Sequence, residues 1–165
     1  SFYNGKVYFM FNTGKEVGAT AFLIENLDRT LPPGKLQQKI QKQINDGWVP
    51  FDLTYSPKHL IMLYLKCAIP IMAWKIVTCE RSWTAIETTI KNNKGFFPLG
   101  FTFTNKEAYI LIIKSPKAGV SNWLLKNCGA KEKVFNAKVN GVVGQGYTPY
   151  GFEYKGDQVG VCFLK

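Results

Sequence analysis

The chain has few of the residues on which catalysis and metal binding most often depend. Its 165 residues include one histidine and two arginines, and no Cys-x-x-Cys pair occurs. The sequence also lacks a Gly-x-Ser-x-Gly elbow, a phosphate-binding glycine loop and a His-Glu-x-x-His helix. We therefore predict a protein that is not an enzyme and that binds no metal or cofactor. Among the scattered carboxylates, only Asp52 and Glu153, on corresponding strands, suggest a pair.

Long apolar runs are also missing. A membrane-spanning helix needs about 18 or more consecutive apolar residues, and the nearest stretch, residues 60–77, is interrupted by Lys66, Pro70 and Lys75. We predict no transmembrane segment, and two strands joined by a turn in this stretch. The 46% hydrophobic content is sufficient for the core of a single domain over residues 1–165.

A glycine, an aromatic residue, one further residue and a proline recur three times in one frame. An aromatic strand and a helical stretch precede each copy, and an alternating strand, a polar turn and an apolar strand follow it. The pattern predicts an α+β fold of three β-α-β-β repeats, with helices on one side of a mostly antiparallel sheet. The three copies are Gly47-Trp48-Val49-Pro50, Gly95-Phe96-Phe97-Pro98 and Gly146-Tyr147-Thr148-Pro149.

The repeats span residues 19–66, 70–114 and 119–165, and a leading strand over residues 6–12 matches the last strand of a repeat. Two explanations of this strand remain open. Either it pairs with a terminal repeat and closes the array with pseudo-threefold symmetry, or the chain is a piece of a longer array. Closure is our preference because it removes exposed strand edges.

Glycine and proline have separate roles in the recurring motif. Glycine can adopt the left-handed conformation that ends a helix, and proline prevents the helix from continuing into the strand. We expect Ser82 to cap the second helix, and Gly141 to weaken the third helix near its end. We expect the polar side of the strands after the motif to be solvated, although around a threefold axis it would line a shared surface. That side carries Asp52, Thr54, Gly100, Thr102, Thr104, Gly151 and Glu153.

The four cysteines replace core aliphatic residues in the repeat frame. Cys79 and Cys128 align with Leu27, and Cys162 aligns with apolar residues of the other last strands. We predict reduced thiols and favour a reducing, cytosolic-type compartment, although the sequence leaves the localisation open.

Positive charge is the strongest functional signal. The net charge is +10, and nineteen of the 21 basic residues are lysines, which recur around each helix. Such a surface attracts nucleic acid or another polyanion, but lysine lacks the bidentate geometry that favours arginine in base and phosphate recognition. A solvated basic surface without a polyanion partner is the other interpretation. The predicted binding residues are Lys35, Lys39, Lys42, Lys91, Lys94, Lys131, Lys133 and Lys138.

The repeats resemble known tandem β-α-β-β modules through Gly47-Trp48, Gly95-Phe96 and Gly146-Tyr147. Such modules occur in the N-terminal domain of fungal polyglycine hydrolases and in C-terminal arrays of plant casein-kinase-like proteins. The resemblance implies an accessory, non-catalytic module, and no functional residue carries over. We predict a basic binding module; the alternative is a protein-interaction or self-assembly scaffold, in which case the partner is a protein or a second copy.

Overall fold

The computed structural model describes residues 2–3, 6–7, 18–115 and 122–165. Two short strands, β1 (Phe2–Tyr3) and β2 (Lys6–Val7), pair antiparallel and are followed by three similar units of one strand, one helix and two strands. The first unit contains β3 (Ala21–Asp28), α1 (Pro33–Asn45), β4 (Val49–Tyr55) and β5 (His59–Lys66). The second contains β6 (Ala73–Glu80), α2 (Trp83–Asn92), β7 (Phe97–Phe103) and β8 (Glu107–Lys114). The third contains β9 (Trp123–Gly129), α3 (Glu132–Val143), β10 (Thr148–Lys155) and β11 (Gln158–Leu164).

Each unit forms its own three-stranded antiparallel sheet, so the expected single sheet is divided into three. The last strand of a unit lies in the middle in every case, giving the orders β3-β5-β4, β6-β8-β7 and β9-β11-β10. This placement explains why the last strands are apolar on both faces, as in β5, where residues 60–65 are all buried. The predicted α+β class is confirmed.

The glycine of each recurring motif has a positive φ. The angles are 81° at Gly47, 79° at Gly95 and 83° at Gly146, and each glycine lies just after a helix. A residue with a Cβ rarely adopts this conformation, which explains why glycine occupies all three sites.

The proline of each motif precedes an irregularity in the strand pairing. The register shifts between Pro50 and Asp52, between Pro98 and Gly100, and between Pro149 and Gly151. The skipped residue forms a bulge, which bends the strand beyond the proline. The second strands of all three units therefore carry the same irregularity at the same place.

The helices agree with the sequence prediction at α2 and differ from it at α3. The Ser82 hydroxyl accepts a hydrogen bond from the Ala85 N–H, as expected of an N-cap. Gly141 does not end α3 early, contrary to what its low helix propensity led us to expect, since the helix continues through Gly141 to Val143. Val142 is buried against β-strand residues of the third unit, and this packing offsets the low helix propensity of glycine.

The second strands of the units meet at the centre of the molecule. Strand β7 packs against both β4 and β10, and the main core cluster includes residues of all three units. We expected this face of the strands to be solvated, and that expectation was wrong: Asp52, Thr54, Thr102 and Glu153 are all buried. Gly100 and Gly151 are buried too, and a Cβ at either would overlap atoms of the neighbouring second strand.

The predicted leading strand is described only in part. Residues Lys6–Val7 form β2, while residues 8–12 lie outside the described residues. Its partner β1 contacts β10. None of the helices in the described ranges is long and apolar enough to cross a membrane.

All four cysteines are free thiols, and two of them belong to the core. Cys128 and Cys162 are buried, whereas Cys67 and Cys79 are half-buried. The register places Cys162 opposite Gly151, just as Leu63 lies opposite Asp52. The prediction that Cys162 replaces a core leucine is confirmed.

Candidate functional site

Two carboxylates are buried where the second strands meet. Asp52 of β4 is 2% exposed and Glu153 of β10 is 3% exposed. Each accepts a hydrogen bond from the next backbone N–H, Leu53 to Asp52 Oδ1 at 2.8 Å and Tyr154 to Glu153 Oε1 at 3.0 Å. The pair that the sequence suggested therefore lies in the interior.

Burial changes the acidity of this region. Loss of water raises the pKa of Asp52 to about 7, with the Leu53 N–H bond opposing the rise and the nearby Glu153 adding to it. Burial, with the Asp52 charge in addition, also raises the pKa of the Cys162 thiol. A carboxyl group with a pKa near neutrality is a feature of many acid/base sites.

The surroundings leave little access to the two carboxylates. Asp52 and Glu153 are almost inaccessible. Gly100 of β7 lies against the Asp52 carboxylate, and Gly151 of β10 lies against the β7 backbone at Leu99. No group of three or more potential metal ligands occurs in the described residues. Asp52 is therefore an ionisable residue buried where the three second strands meet.

The eight lysines predicted to bind a polyanion all lie exposed on or beside the helices, but in three separate units. Lys42 and Lys91 form ion pairs one helical turn away, with Asp46 at 2.8 Å and with Glu87 at 2.7 Å. The other six have no ion-pair partner among the described residues. These six are Lys35, Lys39, Lys94, Lys131, Lys133 and Lys138.

The third unit holds the densest group of these lysines. Lys131 is the N-cap of α3, Lys133 lies in its first turn, and Lys138 Nζ donates to the Asn127 carbonyl of β9 at 3.2 Å. Burial raises the pKa of the Cys128 thiol, and the charges of Lys138 and Lys126 oppose that rise, which places both amines near this end of β9. We call Lys126, Lys131, Lys133 and Lys138 the α3 lysine group.

A cleft of about 320 Å³ opens between the first and second units. Leu36 and Ile40 of α1 face Trp74 and Ile76 of β6 across it. Polar groups occupy the edge, with Arg29 stacked 3.9 Å from the centre of the Tyr55 ring. The remaining lining residues are Leu31, Gln37, Leu60, Thr78 and Tyr109.

Two hydrogen bonds and a ring contact hold the walls of this cleft. Trp74 Nε1 donates to Gln41 Oε1 at 2.8 Å, which fixes the indole against α1. The rings of Tyr55 and Tyr109 stack with centroids 5.1 Å apart. Tyr109 donates to Glu107 Oε1 at 2.8 Å, and burial together with this bond raises the pKa of the Tyr109 phenol. The walls are therefore built from side chains whose positions are fixed.

Sequence reasoning missed the cleft because its residues come from distant segments. The sequence identifies Tyr55 and Tyr109 only as strand residues, and it identifies Arg29 only as one of two arginines. Nothing in the sequence shows that the three side chains lie together. One signal was available: the first helix begins with Pro33, where the second helix begins with Trp83. A smaller residue in place of an indole at a junction between units indicates unfilled space.

Comparison of the chain with protein-family models, curated proteins and solved structures found no match.

Proposed function

We propose that the protein is a non-catalytic, basic module that binds nucleic acid or another polyanion. The α3 lysine group carries this proposal. Four amines lie around α3 and the adjoining strand β9, whereas Glu132 is the single carboxylate of α3 and β9 together. A local excess of positive charge attracts a polyanion and speeds its association.

The helix itself adds to the attraction. Lys131 and Lys133 lie at the N-terminal end of α3, which carries the positive end of the helix dipole. No side chain caps this end, so the first backbone N–H groups remain available to an anion. By contrast, the Ser82 hydroxyl caps α2, and Lys91 pairs with Glu87.

The first helix is a weaker candidate because acidic groups lie near its lysines. Lys42 pairs with Asp46. Hydrogen bonds from Thr30 lower the pKa of Asp28, and the charge of Lys39 adds a smaller decrease. Lys35 and Lys39 extend the basic surface without forming its centre.

The test compares two triple variants that change the charge equally. Replacing Lys131, Lys133 and Lys138 with glutamine should weaken binding of labelled single-stranded RNA and heparin, and should reduce the salt dependence by about two to three contacts. Replacing Lys42, Lys91 and Lys106 with glutamine is the matched control. The measurement is fluorescence anisotropy at several salt concentrations.

Equal losses in the two triple variants would contradict a site at α3, because net charge alone would then explain the binding. Failure of the unmodified protein to bind either polyanion at physiological salt would reject the proposed function. Stronger binding of RNA than of heparin would identify nucleic acid as the partner class.

We also propose that the three units are copies of one repeat around a central axis. The shared strand order, the bulge after each proline and the left-handed glycine after each helix support this interpretation. The contact of β1 with β10 supports pseudo-threefold closure through the N-terminal strands. Proteolysis of the intact chain should then release no stable single unit, whereas an isolated stable unit would contradict the arrangement.

Self-assembly is a second candidate, favoured by apolar residues exposed at the two ends of the array. Ile24 of β3 is 45% exposed, whereas Ile76, at the same place in the second unit, is half-buried beside α1. Val134 and Val143 of α3 are each 43% exposed. If these surfaces join two copies, Ile24→Lys should reduce the mass measured by sedimentation; an unchanged monomeric mass would exclude this role.

A further inference from the structure

The junction between the second and third units is filled by one aromatic ring. Trp83 of α2 contacts the rings of Phe101 and Phe103 edge-on, with centroids 5.9 and 4.8 Å away. Its Nε1 donates to Gln158 Oε1 of the third unit at 2.8 Å. The ring lies against Gly160, where a Cβ would overlap it. An indole thus fits between a helix and the next unit.

The junction between the first and second units is built differently at the corresponding positions. The first helix begins with Pro33, whereas the second helix begins with Trp83, so α1 has no indole at its first position. Tyr109 occupies the position that Gly160 has in the third unit. Tyr109 pairs with Thr102 and Gly160 pairs with Glu153, and each of these partners lies four residues after the proline of its strand. The aromatic ring comes from the strand here, and the helix supplies none at its first position.

This difference between the two junctions leaves space between the first and second units. Tyr109 stacks on Tyr55 and fills one side of the junction, while the side below Gln37 remains open as the 320 Å³ cleft. The floor is apolar, with Leu36, Ile40 and Ile76, and such a volume is at the lower end of those that hold small ligands.

The edge of the cleft is suited to a negative group. Arg29 Nη1 donates to the carbonyls of Ser56 at 3.3 Å and Pro57 at 2.9 Å, which holds the guanidinium over the Tyr55 ring. A guanidinium has five N–H donors, so these bonds do not exhaust it. No carboxylate is among the residues that line the cleft.

We propose that this cleft is a binding site for a planar aromatic ring carrying an anionic group. The ring lies on the apolar floor between α1 and Trp74. The anion contacts Arg29 at the edge. This site is separate from the α3 lysine group, so failure of one proposal leaves the other intact.

Indole-3-propionate, neutral indole and adenosine monophosphate are suitable probes, titrated into the isotope-labelled protein by NMR. We expect saturable shifts of the Trp74 indole N–H signal with indole-3-propionate, and weaker binding of indole. Adenosine monophosphate at the same signals would extend the site to nucleotides, whereas its failure to bind would restrict the site to aromatic carboxylic acids; both results support the shared chemistry. Absence of saturable shifts at Trp74 with all three probes would overturn the proposal.

Two variants separate the ring from the anion. Gln37→Trp should fill the cleft and abolish binding, while Lys42→Trp, at an exposed residue of the same helix that does not line the cleft, should leave binding unchanged. Arg29→Gln should weaken indole-3-propionate about tenfold, the effect of one charge-assisted hydrogen bond, and leave neutral indole unchanged. Retained binding in Gln37→Trp, or equal losses for both ligands in Arg29→Gln, would contradict the assignment.

Discussion

The indole of Trp83 lies directly on the backbone of Gly160, and the space beside this glycine is occupied by the six-membered ring. This contact joins the second helix to the last strand of the third unit, with the hydrogen bond to Gln158 beside it. A side chain at residue 160 therefore has to displace Trp83 or separate the two units.

We predict that Gly160→Ala destabilises the protein by about 1–3 kcal/mol, the usual cost of overpacking a core. Urea denaturation of the two proteins measures the change in free energy of unfolding. Trp83→Leu should itself be destabilising but should remove most of the additional cost of Gly160→Ala, because the clashing ring is gone. Additive effects in the double variant would show that the two residues do not interact.

A matched glycine keeps this test specific. Gly141 lies within α3, and nothing lies within 4 Å of a Cβ built there. Gly141→Ala should therefore stabilise the protein by roughly 0.5–1 kcal/mol through helix propensity. Destabilisation by both alanine variants would point to a general intolerance of glycine replacement.

The motif glycines allow the cost of the backbone to be measured separately from that of packing. At Gly95 a Cβ would contact nothing, so Gly95→Ala should lose about 1 kcal/mol from its φ of 79° alone. At Gly47 a Cβ would lie 3.3 Å from Lys66 Nζ, so Gly47→Ala should lose the same amount and displace this amine as well. Denaturation curves that rank Gly95→Ala as the more harmful would contradict this account.

Asp52 should make the stability fall as the pH rises. Its pKa is about 7 in the folded protein and near the ordinary 3.8 in the unfolded chain, so the folded state holds the proton more tightly. Between pH 3.8 and about 7 the unfolded chain releases this proton first, and the free energy of unfolding decreases, in total by on the order of a few kcal/mol. The stability that protonated Asp52 contributes is fully present below pH 3.8 and is lost above about pH 7.

Asp52→Asn is the variant that tests this titration, since an amide oxygen can still accept the Leu53 N–H. We expect equal stability near pH 4 and a more stable variant at pH 8, measured by urea denaturation across the range. Asp157→Asn, in the exposed turn before β11, is the control and should keep the wild-type profile. A pH profile of Asp52→Asn parallel to that of the unmodified protein would contradict a raised pKa.

Much of the fold could be predicted because local chemistry determines it. Gly47, Gly95 and Gly146 each end a helix, and the alternation after each proline identified a strand. The environment of Asp52 could not be predicted in this way. Alternation shows that a strand has two faces, but only the packing of β4, β7 and β10 shows that the polar face is inside.

The cleft was harder to predict for a related reason. The cleft depends on whether the aromatic ring at a junction comes from the helix of one unit or from the last strand of the next. The residues around the cleft, such as Gln37 and Tyr109, are far apart in sequence. The positions of the lysines on the helices were predictable, but their ion pairs were not. Lys42 and Lys91 pair with carboxylates one helical turn away, which reduces the positive potential around them.

Lys66 should stabilise the end of the first helix. Its Nζ donates to the Asp46 carbonyl at 2.7 Å, just beyond α1, and lies 5.1 Å from the centre of the Trp48 ring. A cation at a helix C-terminus and a cation over an aromatic ring are each favourable, so Lys66→Met should lose about 1 kcal/mol at low salt. Urea denaturation at low and high salt measures this loss, which salt should reduce.

The second unit supplies the control for Lys66, because it places a different lysine over the motif aromatic. Lys114 ends β8 at the corresponding position, yet within the described residues no hydrogen bond joins it to the end of α2, and Lys75 lies over the Phe96 ring instead, at 4.6 Å. Lys114→Met should therefore change the stability little. Lys165→Met should lose about as much stability as Lys66→Met, because Lys165 Nζ donates to the Gln145 carbonyl at 2.8 Å and lies over the Tyr147 ring. Equal effects of all three substitutions would mean that the loss of a surface charge, and not the contact with the helix end, determines the change.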